Sequence, residues 1–179
     1  MFSHLRPSLR FLIAAAALLL AGCGFQLRGH TSLPFSTLYV PASSPIGIEL
    51  KRNIVAGTET RLVDSAEQAQ AQLLIAQDQR EKIILSLNSA GRVREFQLRY
   101  KFAFRVVDAR GREFLPLNEI TLTRDISFND AQVLAKEAEE VLLYRDMQTD
   151  MVQQALRRMG GARIPTGLEP ETAPPAKPQ

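Results

Sequence analysis

Few side chains in this sequence have the chemistry that catalysis or metal binding needs. The chain has one cysteine, Cys23, and two histidines, His4 and His30. A Ser-His-Asp or Cys-His arrangement needs a histidine beside a nucleophile, and zinc sites need clusters of cysteine and histidine. No glycine-rich loop of the kind that holds phosphates is present either. We therefore expect no enzyme activity, no cofactor and no metal.

The N-terminal residues have the order of a signal peptide. Arg6 and Arg10 precede an apolar run over residues 11–20, and two small residues follow that run. A transmembrane helix needs about 20 apolar residues, and this run has about half that number. We therefore expect residues 1–22 to be a signal peptide that is removed, and not a membrane span.

Cys23 directly follows this segment and ends the tetrapeptide Leu20-Ala21-Gly22-Cys23. The tetrapeptide is similar to a bacterial lipoprotein box, in which the thiol takes a diacylglyceryl group and the freed amine is acylated. An ordinary secretory signal with a chance cysteine is the alternative. Stable anchoring needs two or more acyl chains, which a triacylated Cys23 would supply. Residue 24 is glycine, and not the aspartate that retains lipoproteins in the inner membrane, so we expect the periplasmic side of the outer membrane.

The charge of the exported chain is nearly balanced. Removal of residues 1–22 takes away two arginines, so that 20 basic residues stand against 19 acidic ones, with a net charge of about +1. A nucleic-acid-binding domain normally has a marked excess of basic residues. This balance, together with export, argues against nucleic acid as a partner.

The clearest structural pattern is the alternation of apolar and polar residues over Val93–Val107. A strict period of two predicts a strand with one buried face. Turn residues at 88–91 and 108–111 predict a hairpin on each side of it. Residues 120–128 are the expected partner strand, although Arg124 interrupts their apolar face.

Two segments have the spacing of amphipathic helices. Between Pro45 and Gly57 the apolar residues fall four apart, which predicts a helix of about three turns. A longer helix is predicted over residues 131–159, after a capping residue at Asn129. Its expected apolar side consists of Leu134, Ala138, Val141, Val152, Leu156 and Met159. The unusual length leaves open that the early turns are a separate piece.

Thr37–Val40 and Ala71–Leu87 contain further strand-like runs, and Arg61–Val63 is a brief extended piece. The polar residues 77–81 within the second run could be an exposed strand or a bulge.

Together these elements predict an α+β fold, a two-layer sandwich of a four-stranded, mostly antiparallel sheet covered by two helices. The predicted domain spans residues 35–161 and follows a lipidated tether at residues 23–34. The proline-rich residues 162–179 contain too few apolar side chains to offset the entropy of ordering, so we expect a disordered tail.

Basic residues on the long strand have two interpretations. In the first interpretation, the solvent-facing side of a half-buried strand simply consists of Arg99, Lys101 and Arg105. Alternatively, these residues could join Arg92 and Arg94 near the hairpin tip to bind an anionic amphiphile, because guanidinium groups match phosphate oxygens.

Three segments together resemble the lipopolysaccharide-assembly lipoprotein family, LptE. The first is the start Cys23-Gly24-Phe25-Gln26-Leu27-Arg28, and the second is the hairpin Gly91-Arg92-Val93-Arg94-Glu95-Phe96-Gln97-Leu98. The third is Phe128-Asn129-Asp130 followed by Leu134-Ala135-Lys136-Glu137 and Glu140. Their order and spacing resemble the family from about Cys23 to Met159.

The resemblance implies a two-helix, four-stranded sandwich that plugs the outer-membrane β-barrel LptD, helps this barrel assemble and binds lipopolysaccharide. The basic contacts of the family with lipopolysaccharide correspond to Lys136 and to the hairpin tip. At the tip position itself this chain has Ser89, with Arg92 and Arg94 close by. The alternative function is that of a generic periplasm-facing outer-membrane lipoprotein, an adaptor in the structure of the envelope.

Overall fold

The computed structural model describes residues 31–165. The predicted signal peptide, Cys23 and most of the predicted C-terminal tail lie outside the described residues. In the described part, the order of elements is β1 (Thr37–Tyr39), α1 (Pro45–Gly57), β2 (Arg61–Leu62), β3 (Ala71–Leu87), β4 (Val93–Val107), β5 (Glu113–Ser127) and α2 (Val133–Gly160).

The strands form a single sheet in the order β2-β1-β3-β4-β5. The short strand β1 pairs in parallel with β2 on one side and with the long strand β3 on the other, whereas β3, β4 and β5 form two antiparallel hairpins. The α+β fold with two helices is confirmed, but the predicted number of four strands was wrong. Arg61–Leu62, which reads in sequence as a brief extended piece, pairs with Thr37 and Leu38 as a fifth strand.

The alternation on β4 separates a covered face of the sheet from an uncovered one. The residues that face the helices are at most 1% exposed, and they are Leu98, Tyr100, Phe102, Phe104 and Val106. On β5 the residue opposite Leu98 is Arg124, whose guanidinium forms an ion pair at 3.1 Å with Asp150 of α2. Arg124 thus lies on the helix side of the sheet, where the carboxylate compensates its charge.

The polar residues 77–81 of β3 remain part of the strand. Their pairing with β4 continues after a register shift between Ile75 and Gln77, which marks a β-bulge. Of the two alternatives for residues 77–81, the structure shows the strand, and the bulge lies directly before it at Ala76.

Helix α1 begins and ends where the spacing predicts. The hydroxyl of Ser44 accepts a hydrogen bond from the backbone N–H of Gly47 at 3.4 Å, which caps the helix. Ile46, Leu50 and Ile54 are fully buried and form the contact of this helix with the core.

Helix α2 is one continuous helix of 28 residues. A short 3₁₀ turn, Asp130–Gln132, precedes it, and the Asn129 side chain accepts a hydrogen bond from the N–H of Ala131 at 3.0 Å. The early turns are therefore not a separate helix. Among residues 31–165, no helix combines the length and the apolar character that crossing a membrane requires.

The predicted apolar side of α2 is buried only in its second half. Val152 and Met159 are fully buried, but Leu134 and Val141 are 82% and 68% exposed. Helix α1 accounts for the difference, because its side-chain hydrogen bonds with α2 lie in the second half, where Thr149 donates to Glu49 at 3.0 Å and Gln153 donates to Asn53 at 3.1 Å. The first half of α2 extends beyond the start of α1, so nothing in the described region covers Leu134, Ala138 and Val141.

Packing already begins within the segment that was expected to be a tether. The backbone N–H of Thr31 donates to the carbonyl of Gly57 at 3.0 Å. Leu33 is 9% exposed and belongs to the core cluster.

Candidate functional site

The hairpin between β3 and β4 positions Arg92 and Arg94 at one end of the sheet. The side-chain oxygen of Asn88 accepts hydrogen bonds from the N–H groups of Ala90 and Arg92, both at 3.0 Å. Gly91 has φ 75°, a left-handed conformation that glycine adopts without steric cost. The turn therefore fixes the backbone of Arg92 while its side chain remains 70% exposed.

A surface pocket of about 360 Å³ lies beside this turn. Its lining residues come from the hairpin and from the segment that follows β5, and they are Asn88, Arg92, Val93, Arg94, Phe128, Asn129 and Asp130. The two segments are held together because the N–H of Phe128 donates to the carbonyl of Arg94 at 2.8 Å. The structure thus brings both arginines that were predicted as site residues to one pocket.

The pocket already contains a carboxylate. Asp130 lies 3.5 Å from the guanidinium of Arg92, and its side chain is 63% exposed. Exposed ion pairs of this kind contribute little stability, about 0–1 kcal/mol. The ion pair with Asp130 therefore restrains the side chain of Arg92 only weakly.

Lys136 lies next to the pocket and does not line it. Its amine donates to the hydroxyl of Ser127 at 3.0 Å and to the carboxylate of Glu139 at 2.9 Å. Ser127 directly precedes Phe128, a lining residue of the pocket. Lys136 is therefore at the same end of the molecule as Arg92, but with its own hydrogen-bond partners.

Lys82 is a cation at this end that sequence reasoning missed. It pairs with Leu98 in the sheet and so faces α2, where its amine lies 2.6 Å from Glu140 and 4.4 Å from the centre of the Phe96 ring. Its sequence neighbours are polar and apolar without clear alternation, so only the register of β3 against β4 could have placed it on the helix side.

Large apolar side chains surround the basic end. Ile84 and Leu87, near the end of β3, are 56% and 55% exposed. Phe96 packs edge-on against Phe128 at 5.3 Å between ring centres, which extends the apolar surface to the pocket. Guanidinium groups beside apolar surface suit a ligand that carries both an anion and hydrocarbon.

The basic residues on the uncovered face are compensated. Arg99 and Lys101 lie 3.6 Å and 2.8 Å from Glu81, and Arg105 lies 3.9 Å from Glu113. These ion pairs agree with the interpretation of Arg99, Lys101 and Arg105 as the solvent-facing side of a half-buried strand. The hairpin tip is therefore the better candidate for an anion-binding site.

Two tyrosines beneath α2, Tyr100 and Tyr144, have raised pKa values and structural roles. Burial, and then a hydrogen bond at 2.8 Å to Asp78, raises the pKa of Tyr100 to about 12. Burial and the charge of Glu140 also raise the pKa of Tyr144, whose hydroxyl donates to the carbonyl of Glu81 at 2.7 Å. Both phenols are therefore neutral at physiological pH and act as hydrogen-bond donors. Within residues 31–165, no cluster of three potential metal ligands occurs.

Comparison with known proteins finds relatives that are lipopolysaccharide-assembly lipoproteins. The family model described as "LptE: Lipopolysaccharide-assembly" matches residues 35–159. The LPS-assembly lipoprotein LptE of Pectobacterium atrosepticum is 27% identical over 92% of this chain and 93% of its own length. That of Yersinia enterocolitica is 28% identical over 84% of this chain and 74% of its own length.

Solved structures agree with this result. Lipoprotein B of Nitrosomonas europaea is 49% identical, with a TM-score of 0.67 over 77% of this chain and 91% of that chain. Rare lipoprotein B of Shewanella oneidensis has the same fold, with 24% identity and a TM-score of 0.58 over 70% of this chain and 92% of that one. The family match covers most of the chain, and the chain therefore belongs to the LptE family, with a role in the assembly or transport of lipopolysaccharide.

Proposed function

We propose that this chain is an outer-membrane lipoprotein that plugs and helps to assemble the LptD β-barrel, and that it binds lipopolysaccharide on its way to the cell surface. Family membership supports the role in lipopolysaccharide assembly. Lipidation at Cys23 would hold the folded domain on the periplasmic side of the outer membrane.

The observation that carries the lipid-binding part is the pocket at the hairpin tip. Arg92 and Arg94 line it together, and guanidinium groups match the oxygens of phosphates such as those of lipid A. The exposed side chains of Ile84 and Leu87 offer apolar surface for acyl chains nearby. The pocket and these side chains would thus engage the two chemically different parts of one amphiphile.

Lys136 would supply a second phosphate contact. Its amine is already in a polar setting formed by Ser127 and Glu139, and its side chain is 18% exposed. A phosphate could replace the Glu139 contact at low cost, because that ion pair joins neighbouring turns of one helix. Binding would then use Arg92, Arg94 and Lys136 together.

The uncovered face of the sheet supports the plug part of the proposal. This face carries ion pairs such as those of Arg99 and Lys101 with Glu81. The interior of an outer-membrane barrel is polar, so a polar face with compensated charges fits there without burying unpaired ions.

Charge reversal at the tip tests the lipid-binding role. The double variant Arg92→Glu/Lys136→Glu should bind lipopolysaccharide at least about tenfold more weakly, because two charge-assisted contacts are lost. The matched control, Arg105→Glu/Arg110→Glu, has the same change of charge on exposed residues at the other end of β4 and should bind normally. Association with the barrel should persist in both variants. Unchanged lipopolysaccharide binding in the tip variant would contradict the role.

A further inference from the structure

The two hairpin turns of the sheet have the same backbone geometry. In the first turn, Asn88 donates its N–H to the carbonyl of Arg92 at 2.8 Å, and its side chain accepts from the Arg92 N–H at 3.0 Å. In the second, the corresponding distances between Asp108 and Arg112 are 2.9 Å and 2.8 Å. Each turn has a glycine with positive φ, 75° and 79°, before its arginine.

The turns differ in what holds the arginine side chain. In the second turn the free carboxylate oxygen of Asp108 accepts a hydrogen bond from Nε of Arg112 at 2.7 Å, and the arginine side chain is 31% exposed. Burial acts to raise the pKa of Asp108, but hydrogen bonds from Arg112 and Arg110 outweigh burial and lower it. The carboxylate is therefore ionised and keeps its own arginine within the turn.

In the first turn the corresponding residue, Asn88, is neutral. Its oxygen accepts the two backbone N–H groups as Asp108 does, but it offers no charge to the guanidinium of Arg92. Arg92 is consequently 70% exposed and reaches over the pocket to Asp130 at 3.5 Å, where both side chains are open to solvent.

We propose that the neutral side chain of Asn88 keeps Arg92 available for an incoming phosphate, with Asp130 as an exchangeable counter-ion. The inference rests on the proposed lipopolysaccharide binding and adds a positioning residue to that site. A carboxylate at position 88 would preserve the turn and capture Arg92, as Asp108 captures Arg112. A phosphate with more negative charge than one carboxylate displaces the long, exposed contact with Asp130.

The test is Asn88→Asp in the lipidated full-length protein, with lipopolysaccharide affinity as the readout. The expected affinity is roughly three- to tenfold weaker than that of the wild type. Gln132→Glu makes the same amide-to-carboxylate change on an exposed residue two positions after Asp130, outside the hairpin turn, and should weaken binding at most about twofold. Asp108→Asn, at the opposite hairpin, should not change the affinity. Wild-type affinity in Asn88→Asp, or an equal loss in Gln132→Glu, would overturn the inference.

Two further variants keep the inference testable if Asn88→Asp does not fold. Asp130→Asn removes the counter-ion and should strengthen binding roughly two- to fivefold, and no gain would overturn its role. Arg92→Glu separates the two proposals. If Arg92→Glu binds normally, the proposed lipopolysaccharide site itself fails. If Arg92→Glu weakens binding and Asn88→Asp does not, only the role of Asn88 fails.

Discussion

The amine of Lys82 on β3 lies 2.6 Å from the carboxylate of Glu140 on α2, and 4.4 Å from the centre of the Phe96 ring beneath it. This contact is one of several polar ties that hold the first half of α2 to the sheet. Another is the hydrogen bond from Tyr144 to the carbonyl of Glu81 at 2.7 Å. Polar ties matter in this half of the helix because its apolar side is not covered by α1.

Removal of the Glu140 charge should weaken this attachment modestly. We expect Glu140→Gln to lower the free energy of unfolding by about 0.5–1 kcal/mol, since the pair is only partly exposed. Urea unfolding measures this change, with the exposed helix residue Glu137→Gln as the control. In a double-mutant cycle with Lys82→Met, absence of coupling would show that the pair contributes nothing.

Truncation of α1 in the core should cost much more. Leu50 is fully buried, so Leu50→Ala should lower the free energy of unfolding by about 2–5 kcal/mol through lost contacts and a cavity. Val55 is 69% exposed on the same helix, and Val55→Ala should change the free energy of unfolding by less than about 0.5 kcal/mol. Similar losses in the two variants would contradict the described packing of α1.

The raised pKa of Tyr100 predicts a loss of stability at alkaline pH. Its pKa is about 12 in the folded protein against 10.0 ordinarily, so folding favours the neutral phenol. The resulting stabilisation is fully present below pH 10 and is lost as the pH rises towards 12. Tyr100→Phe should be less stable at neutral pH, because the bond to Asp78 is lost, but its stability should fall less steeply over this window. Tyr39→Phe is the control, and equal slopes in Tyr100→Phe and wild type would refute the prediction.

Lipid attachment at Cys23 remains a prediction, since this residue lies outside the described part of the chain. We expect Cys23→Ala to remain an uncleaved or unlipidated precursor. Metabolic labelling with a radioactive or clickable fatty acid measures the modification directly. Normal acyl labelling of Cys23→Ala would remove the anchoring proposal.

Local pattern was enough to predict most elements of this fold. The alternation on β4, the four-residue spacing in α1 and the turn residues around both hairpins depend on near neighbours, and all three predictions are confirmed. Arg61–Leu62 was predicted as an extended piece but not as a fifth strand, because two residues have no recognisable period and pair only with β1. The exposure of Leu134 and Val141 depends on where α1 begins relative to α2, and the sequence of α2 alone does not give that position.

The candidate site was only partly predictable for the same reason. Turn residues placed Arg92 and Arg94 near a hairpin tip, and the pocket contains both. Two ion pairs of the site, Arg92–Asp130 and Lys82–Glu140, connect segments that are far apart in sequence. These contacts follow from strand register and from the path of α2, which local composition does not reveal.

Gentle detergent extraction of the lipidated protein from membranes, followed by affinity purification and mass spectrometry, tests the central proposal most directly. We expect a large outer-membrane β-barrel, LptD, to co-purify in near-stoichiometric amount, and to do so with the Arg92→Glu/Lys136→Glu variant as well. Recovery of the wild-type protein without any such barrel would contradict the account.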